Sequence, residues 1–286
     1  MILVTSANGH TGQSIIKQLV KQGYEVRATD IAQSTTDLKQ KLGVKEVLVG
    51  DLTNINIIRE AVKGVDQIVY IPPLFIAEEA LVGKYLVDEG IKQHINQFVM
   101  ISVTHPIMST LLQHTAKREV EEYLAYQELK NHFNYTVLQP MHYMHNFDPS
   151  AVHAQGAYSI FYDINTRLSY VDSDDVGEIT GKVLADPVKH TLATYELVGP
   201  DFLSPNELVD QYNELTGEHA VAKRVDNLND FMDTVGFLNV YSREAVTHLA
   251  DTYSKWGLAG NPNVLTWLLG RQPTTFKQYL QKNIAE

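Results

Sequence analysis

VTSANGHTG, residues 4–12, decides how the chain is read. ILVTS (2–6) is a short apolar strand, and Ile15, Ile16, Leu19 and Val20 then recur at helical spacing until Gly23. A strand that turns directly into a helix aims backbone N–H groups and a helix N-terminus at one spot, which suits a pyrophosphate. The frame is Ser6-x-x-Gly9-x-x-Gly12, a dinucleotide fingerprint with serine at the first glycine position. Gly9 permits close approach of a ligand, and Gly12 permits close helix–strand packing. If φ at Ser6 is positive, serine carries a modest penalty. If it is negative, the hydroxyl is free to contact phosphate. The competing reading is an ordinary strand–turn–helix connection. The motif's place, after the first strand and before the first helix, favours binding.

Outward from this turn, short β-branched runs alternate with helical patterns. YEVRATD (24–30), KEVLVGD (45–51), QIVYIPP (67–73), QFVMISV (97–103) and NYTVLQP (134–140) read as strands. IIREAVKG (57–64), FIAEEALVGKYLVDEG (75–90) and HTAKREVEEYLAYQELK (114–130) read as helices. The alternation predicts an α/β fold, a Rossmann-type doubly wound parallel sheet with ligands at the strand C-termini. Residues 141–168 read as loop-rich. SYVDSDDVGEITGKVLAD (169–186) predicts a strand and a helix, and ATYELVGPD (193–201) a strand. Ser204, Pro205 and Glu207 spell a capping box at the start of a helix over 204–217. AVAKRV (220–225) predicts a strand, and the remainder is mainly helical. The expected organisation is a dinucleotide-binding core over 1–150, rejoined by about 166–200. A smaller, mainly helical substrate-covering region is expected over 201–286.

Composition narrows the function. The 286 residues include no cysteine, which excludes disulfides, zinc–thiolate sites, iron–sulfur clusters and thiol nucleophiles. The formal net charge of −11 disfavours general nucleic-acid binding. No basic leader precedes the first strand, and no apolar run is long enough to span a bilayer. A cytoplasmic protein without direct nucleic-acid or membrane partners is expected. Asp30, at the end of the second strand and 18 residues after Gly12, is placed to accept hydrogen bonds from adenosine ribose hydroxyls. It would repel a 2′-phosphate, so NADH is favoured slightly over NADPH. Arg27, Lys39 and Lys41 lie near enough to favour NADPH instead. Asp51 and Leu52, after the third strand, stand where an adenine amino group would be held.

The chain resembles the NmrA-like group of atypical short-chain dehydrogenases/reductases, which includes NAD(P)H-dependent quinone and azo reductases and cofactor-sensing regulators. The resemblance runs through about the first 200 residues. It rests on VTSANGHTG, GDL (50–52), IPP (71–73), HTAKREVEEYL (114–124), YTVLQPMHYMHN (135–146), YVDSDDVGEI (170–179) and YELVGPDFLSPNEL (195–208). Relatives usually carry glycine at Ser6, and NADP-using relatives often carry arginine at Asp30. Ser102 occupies the family's serine position. The resemblance and the motifs together give these candidate cofactor contacts: Ser6, Asn8, Gly9, His10, Thr11, Gly12, Asp30, Asp51, Leu52, Ile71, Pro72, Ser102, Lys117, Pro140 and Asn146.

Ordinary members of the wider family use Tyr-x-x-x-Lys, in which lysine holds the nicotinamide ribose and tyrosine exchanges a proton. Lys117 is the matching lysine, but the residue four before it is Gln113. Tyr126 and Lys130 match the pattern at the far end of the same helix. A helix rises about 1.5 Å per residue, so they are expected well over 10 Å from Lys117 and without a catalytic role. Without the tyrosine, hydride transfer to a quinone or another conjugated acceptor is the expected chemistry. MHYMHNF (141–147) is the expected pocket segment. In it Tyr143 and Phe147 would stack a ring, Asn146 would hydrogen-bond cofactor or substrate, and His142 or His145 would donate a proton. Lys117, Tyr143 and His142 are therefore the candidate reacting-site residues. His142-x-x-His145 has no third ligand in sight, and no metal is expected. Asp174 and Asp175 are expected to cap the helix that follows them. The leading expectation is a NAD(P)H-dependent reductase of a small aromatic or conjugated substrate, with a homodimer as a possible assembly. The alternative is a non-catalytic NAD(P)-sensing regulator acting through a protein partner.

Overall fold

The computed structural model describes residues 1–284. Its first elements are β1 (Ile2–Val4), α1 (His10–Lys21), β2 (Val26–Asp30), α2 (Leu38–Leu42), β3 (Glu46–Val49) and α3 (Ile55–Val62). Then come β4 (Gln67–Tyr70), α4 (Glu79–Lys92), β5 (Gln97–Ile101), α5 (Leu112–Asn131) and β6 (Tyr135–Pro140). They are followed by β7 (His142–Tyr143), α6 (Pro149–Gln155), β8 (Ala157–Ile160) and β9 (Leu168–Val171). Next are α7 (Ser173–Ala185), α8 (Pro187–His190), β10 (Ala193–Leu197), β11 (Phe202–Leu203) and α9 (Pro205–Thr216). β12 (Val221–Arg224), α10 (Leu228–Thr234), α11 (Val240–Trp256), α12 (Asn263–Leu269) and α13 (Phe276–Ile284) complete the described chain. It divides into two compact units. One holds Met1–Ser109, Gln113–Pro140 and Ser173–Glu196, and the other holds Thr110–Leu112, Met141–Asp172 and the chain from Leu197.

The first unit is built on a seven-stranded sheet in the order β10-β6-β5-β4-β1-β2-β3. Every ladder from β3 across to β6 is parallel. The central strands β4 and β5 are wholly buried, which explains their unbroken apolar runs. The sheet residues Leu3, Ile68, Tyr70, Phe98, Met100 and Val137 share one core with helix residues including Ile58, Leu86, Val120 and Leu124. Burial of each large side chain contributes about 1.5–3 kcal/mol. The chain order reverses between β1 and β4, so this is the switch point where an open parallel sheet offers a crevice. A second close packing joins α1 to α7. A Cβ on Gly177 would come within 3.0 Å of the Ser14 carbonyl, so the two helix backbones approach where α7 has no side chain.

The second unit gathers short elements around aromatic rings. β7 pairs in parallel with β9, β9 runs antiparallel to β11, and β8 pairs in parallel with β12. Phe147 is buried with its ring 4.8 Å from Tyr158 and 5.3 Å from Phe276. Its carbonyl accepts a hydrogen bond from the Tyr279 hydroxyl at 3.0 Å.

The loop-rich reading of 141–168 is corrected by β7, a 3-10 turn at Met144–Asn146, α6 and β8. These pieces are too short to show a period. Their ends still carry local signals: Asp148 caps α6 through the Ser150 and Ala151 amides, Pro149 opens it, and Gly156 closes it at φ +63°. The helix expected from Phe75 begins at Glu79, because Phe75 lies at φ +59° in the preceding turn. Asp174 and Asp175 lie inside the first turn of α7, where carboxylates oppose the helix dipole, rather than outside it as caps. The capping box at Ser204 and Glu207 forms as the sequence predicts.

Candidate functional site

Ser6 adopts φ +45°, so the strained branch of the expectation holds. The left-handed region costs a non-glycine residue about 1–2 kcal/mol. The serine hydroxyl offsets part of this by donating to the Ile71 carbonyl at 2.9 Å, so it braces the sheet and is not left free for phosphate. Thr5 adds a double link that the motif did not reveal. Its hydroxyl donates to the Ile71 carbonyl and accepts from the Ile71 amide, both at 2.8 Å. The ends of β1 and β4 are thereby tied together at the switch point, just before Pro72.

The two glycines differ. A Cβ on Gly12 would lie 2.5 Å from the Ser6 carbonyl and 2.8 Å from Ala7, so the protein's own packing requires glycine there. A Cβ on Gly9 would meet only the Ser6 carbonyl at 3.5 Å, an ordinary contact. Gly9 has negative φ and sits exposed as the N-cap of α1 with no capping side chain. Nothing inside the protein requires glycine at position 9, whereas a ligand approaching the backbone would. Asn8, His10 and Thr11 complete the turn, and His10 is the first residue of α1. The uncapped first turn of α1 presents N–H groups and the positive end of a dipole to an anion. These residues fit a dinucleotide pyrophosphate.

Asp30 ends β2. One of its oxygens accepts from the Asn8 amide at 2.9 Å and the other from the Ile31 amide at 2.7 Å. A carboxylate accepts about four hydrogen bonds, which leaves room for ribose hydroxyls. Arg27 is committed to partners within the protein. Its guanidinium is held by Glu46 at 2.6 Å and by the carbonyls of Ala61 and Lys63 at 2.8 and 2.7 Å. Lys41 pairs loosely with Asp37 at 3.7 Å, and Lys39 is exposed. The exposed Asp51 accepts from the Thr53 amide, and Leu52 packs into the core.

At the end of β5, Ser102 donates to Glu121, and the Gln139 amide donates to the same carboxylate at 2.9 Å. Burial pushes Glu121 above the usual carboxylate range, against the pull of those two hydrogen bonds. Neither partner was visible in the sequence, because each lies on a different element.

Lys117 is not presented to solvent. Its ammonium binds the wholly buried Glu79 at 2.6 Å and reaches the Gln113 carbonyl at 3.4 Å. Burial raises Glu79, and the adjacent ammonium pulls it back down. Glu79 opens α4, 38 residues before Lys117, and no spacing rule connects them. Beside them, His114 is buried and its Nδ1 meets the His105 carbonyl at 3.1 Å, which assigns the proton to Nδ1. Burial lowers His114 to about 4. Tyr126 is 55% exposed, and the Lys130 ammonium lies 5.9 Å over its ring.

The segment after β6 belongs to the second unit. Pro140 ends β6 and its carbonyl accepts from the Thr104 amide at 3.1 Å. His142 is ringed by Tyr170, Tyr253 and Tyr162 at centroid distances of 5.3, 5.6 and 6.3 Å. Burial lowers it to about 4, and the Asn146 amide lies 3.1 Å from its Nε2. Tyr143 stacks on His145 at 4.8 Å. Phe147, expected to stack a ligand ring, is instead consumed by Tyr158, Tyr212 and Phe276. Among the described residues no group of three or more His, Asp or Glu is placed to hold a metal, and no helix is long and apolar enough to cross a membrane.

Solved structures share this architecture. An Escherichia coli NADPH-dependent quinone oxidoreductase complexed with NADPH aligns at TM-score 0.75, with 17% identity over 99% of this chain and all of the other. A Citrobacter triphenylmethane reductase aligns at TM-score 0.78, with 18% identity over all of this chain and 99% of the other. At such identities the likeness shows the fold. In sequence, an uncharacterized Bacillus subtilis oxidoreductase, YesF, is 26% identical over 271 residues, covering 87% of this chain and 86% of its own. The NmrA-like family matches residues 1–281, and the chain belongs to that family.

Proposed function

We propose that the protein is a NAD(P)H-dependent reductase that passes hydride to a quinone or a similar conjugated acceptor. The observation that carries this reading is the pair of glycines at the switch point: Gly12 is closed by the protein's own backbone, and Gly9 is left open beside the uncapped start of α1. The relatives described as quinone oxidoreductase, triphenylmethane reductase and oxidoreductase support it. Bound there, a reduced nicotinamide would supply the hydride. The α1 N-terminus would hold the pyrophosphate, and Asp30 would accept from the ribose hydroxyls. With Arg27 held elsewhere, NADH is the favoured cofactor.

No tyrosine–lysine couple supports alcohol–ketone chemistry, because Gln113 stands in the tyrosine's place and Lys117 is locked to Glu79. A conjugated acceptor needs no such couple. It spreads the arriving negative charge and takes its proton from water. His142, neutral and with Nε2 facing an amide, would offer its Nδ1 hydrogen to an acceptor oxygen.

Titration with NADH and NADPH, followed by a panel of quinones, tests the reading. Saturable binding, tighter for NADH, and sustained quinone reduction are expected. Asp30→Ala would shift the preference towards NADPH by about tenfold, the equivalent of one lost charged hydrogen bond. The locked Lys117 also favours a second reading, a dinucleotide sensor without chemistry. Binding without turnover of any acceptor, with a partner protein bound differently in the NAD+ and NADH states, would select it.

A further inference from the structure

The turn after β1 also holds a chemically reactive pair that the proposed function does not use. Asn8 is followed by Gly9, and no other asparagine of the chain is followed by glycine. Asparagine is among the thermolabile residues. Its side-chain amide can be attacked by the backbone nitrogen of the next residue, and glycine, lacking a Cβ, offers that nitrogen with the least hindrance.

The structure favours this attack at Asn8. Gly9 is exposed and Asn8 is half-buried. The Gly9 amide donates to the Ser6 carbonyl at 3.3 Å, longer than a well-formed bond, so the attacking nitrogen is loosely held. Two features ease the loss of its proton. The Gln13 amide donates to the Asn8 backbone carbonyl at 2.7 Å and draws electron density out of the peptide unit that contains the Gly9 nitrogen. Gly9 is also the N-cap of α1, where the positive end of the helix dipole stabilises a negative nitrogen. The leaving nitrogen, Nδ2 of Asn8, donates to the Ser34 hydroxyl at 3.0 Å in an exposed contact, so water reaches it.

The chemistry balances with water alone. The Gly9 nitrogen gives its proton to hydroxide and bonds to Cγ of Asn8. The Cγ–Nδ2 bond breaks, and Nδ2 leaves as ammonia. Water then opens the resulting succinimide at either carbonyl and leaves an aspartyl or isoaspartyl residue at position 8. Nothing is oxidised or reduced. Either product puts a new carboxylate beside Asp30, whose carboxylate already accepts from the residue 8 amide at 2.9 Å. The isoaspartyl form also lengthens the backbone of a turn in which Gly12 packs tightly on Ser6 and Ala7.

We propose that Asn8 is a site of spontaneous deamidation, that its conversion disables the turn for dinucleotides, and that a bound dinucleotide retards it by hydrogen-bonding the Gly9 nitrogen. The reaction itself stands on the geometry of the turn. Its two consequences rest on the dinucleotide reading.

The test is incubation of the full chain in warm, mildly alkaline buffer, followed by peptide mapping in a mass spectrometer. A synthetic peptide of sequence VTSANGHTG serves as the unfolded reference. The segment holding Asn8 should convert from amide to acid ahead of every other asparagine. Gly9→Ala, which has room for its Cβ, should fold and lose the reaction. NADH at about ten times its Kd should slow the conversion about tenfold, because only the free turn reacts. The converted fraction, separated by anion exchange, should bind NADH at least about tenfold more weakly. No conversion of Asn8 in the time that the peptide converts fully would overturn the proposal. So would equal NADH affinity in the converted and unconverted chains, or an unchanged rate in a chain saturated with NADH. If NADH fails to bind the untreated chain, the dinucleotide reading falls together with both consequences. The cofactor-free time course still decides whether Asn8 reacts.

Discussion

At the scale of single residues, Ser6 shows how a broken motif is tolerated. Its φ of +45° disfavours serine, and its hydroxyl bond to Ile71 favours it. The two effects are each about 1 kcal/mol, so Ser6→Gly should change unfolding stability by less than about 1 kcal/mol. Ser6→Val loses the hydrogen bond and puts a β-branched side chain at positive φ. It should cost about 2–3 kcal/mol in urea unfolding. Lys117 and Glu79 give the opposite case. Lys117→Met leaves a carboxylate buried alone and should cost about 3–5 kcal/mol, and adding Glu79→Leu should recover most of that loss. A double-mutant cycle measures the coupling. The sequence shows Lys117 as a family lysine, but it hides Glu79. Motifs record local spacing, whereas a buried charge is neutralised by whichever element packs over it.

At the scale of elements, the strands of the first unit were legible because burial on both faces demands unbroken apolar runs such as QFVMI. The turn after β1 was legible because tight packing against Ser6 and Ala7 imposes glycine at position 12. The stretch over 141–168 was not legible. Its elements span two to seven residues, and its order comes from rings such as Phe147 packing on Tyr212 and Phe276, far away in sequence. The α1–α7 contact was equally hidden, since nothing in the local pattern around Gly177 names α1 as its partner. Gly177→Val would push its side chain into the Ser14 carbonyl and the Ile15 backbone. It should cost about 2 kcal/mol or more by overpacking, and unfolding in denaturant measures it.

At the scale of the whole molecule, two histidines held low by desolvation contribute a pH dependence to stability. His114 and His142 are both held near 4, below the ordinary 6.5. Between those values the unfolded chain binds protons that the folded chain does not, so stability rises with pH across that window and falls as pH drops from 6.5 to 4. A shift of that size corresponds to at most about 3.5 kcal/mol for each histidine. Glu79, Glu121 and Asp201 are raised by burial and act in the opposite sense, so the comparison must be made between variants. His142→Phe should flatten the loss between pH 7 and pH 5 in denaturant unfolding. The composition points to a globular domain without cysteine chemistry, and the family match over residues 1–281 agrees with the resemblance seen in the motifs. The central claim is that the turn after β1 holds a dinucleotide. The most direct measurement is NADH titration, by nicotinamide fluorescence, of the wild type and of Gly9→Asp. Aspartate is a favourable N-cap and the position has room for its Cβ, so folding should be unimpaired, while its charge would meet the pyrophosphate. Saturable binding by the wild type, lost in the stably folded variant, is the predicted result. No binding by the wild type, or equal binding by both proteins, would contradict it.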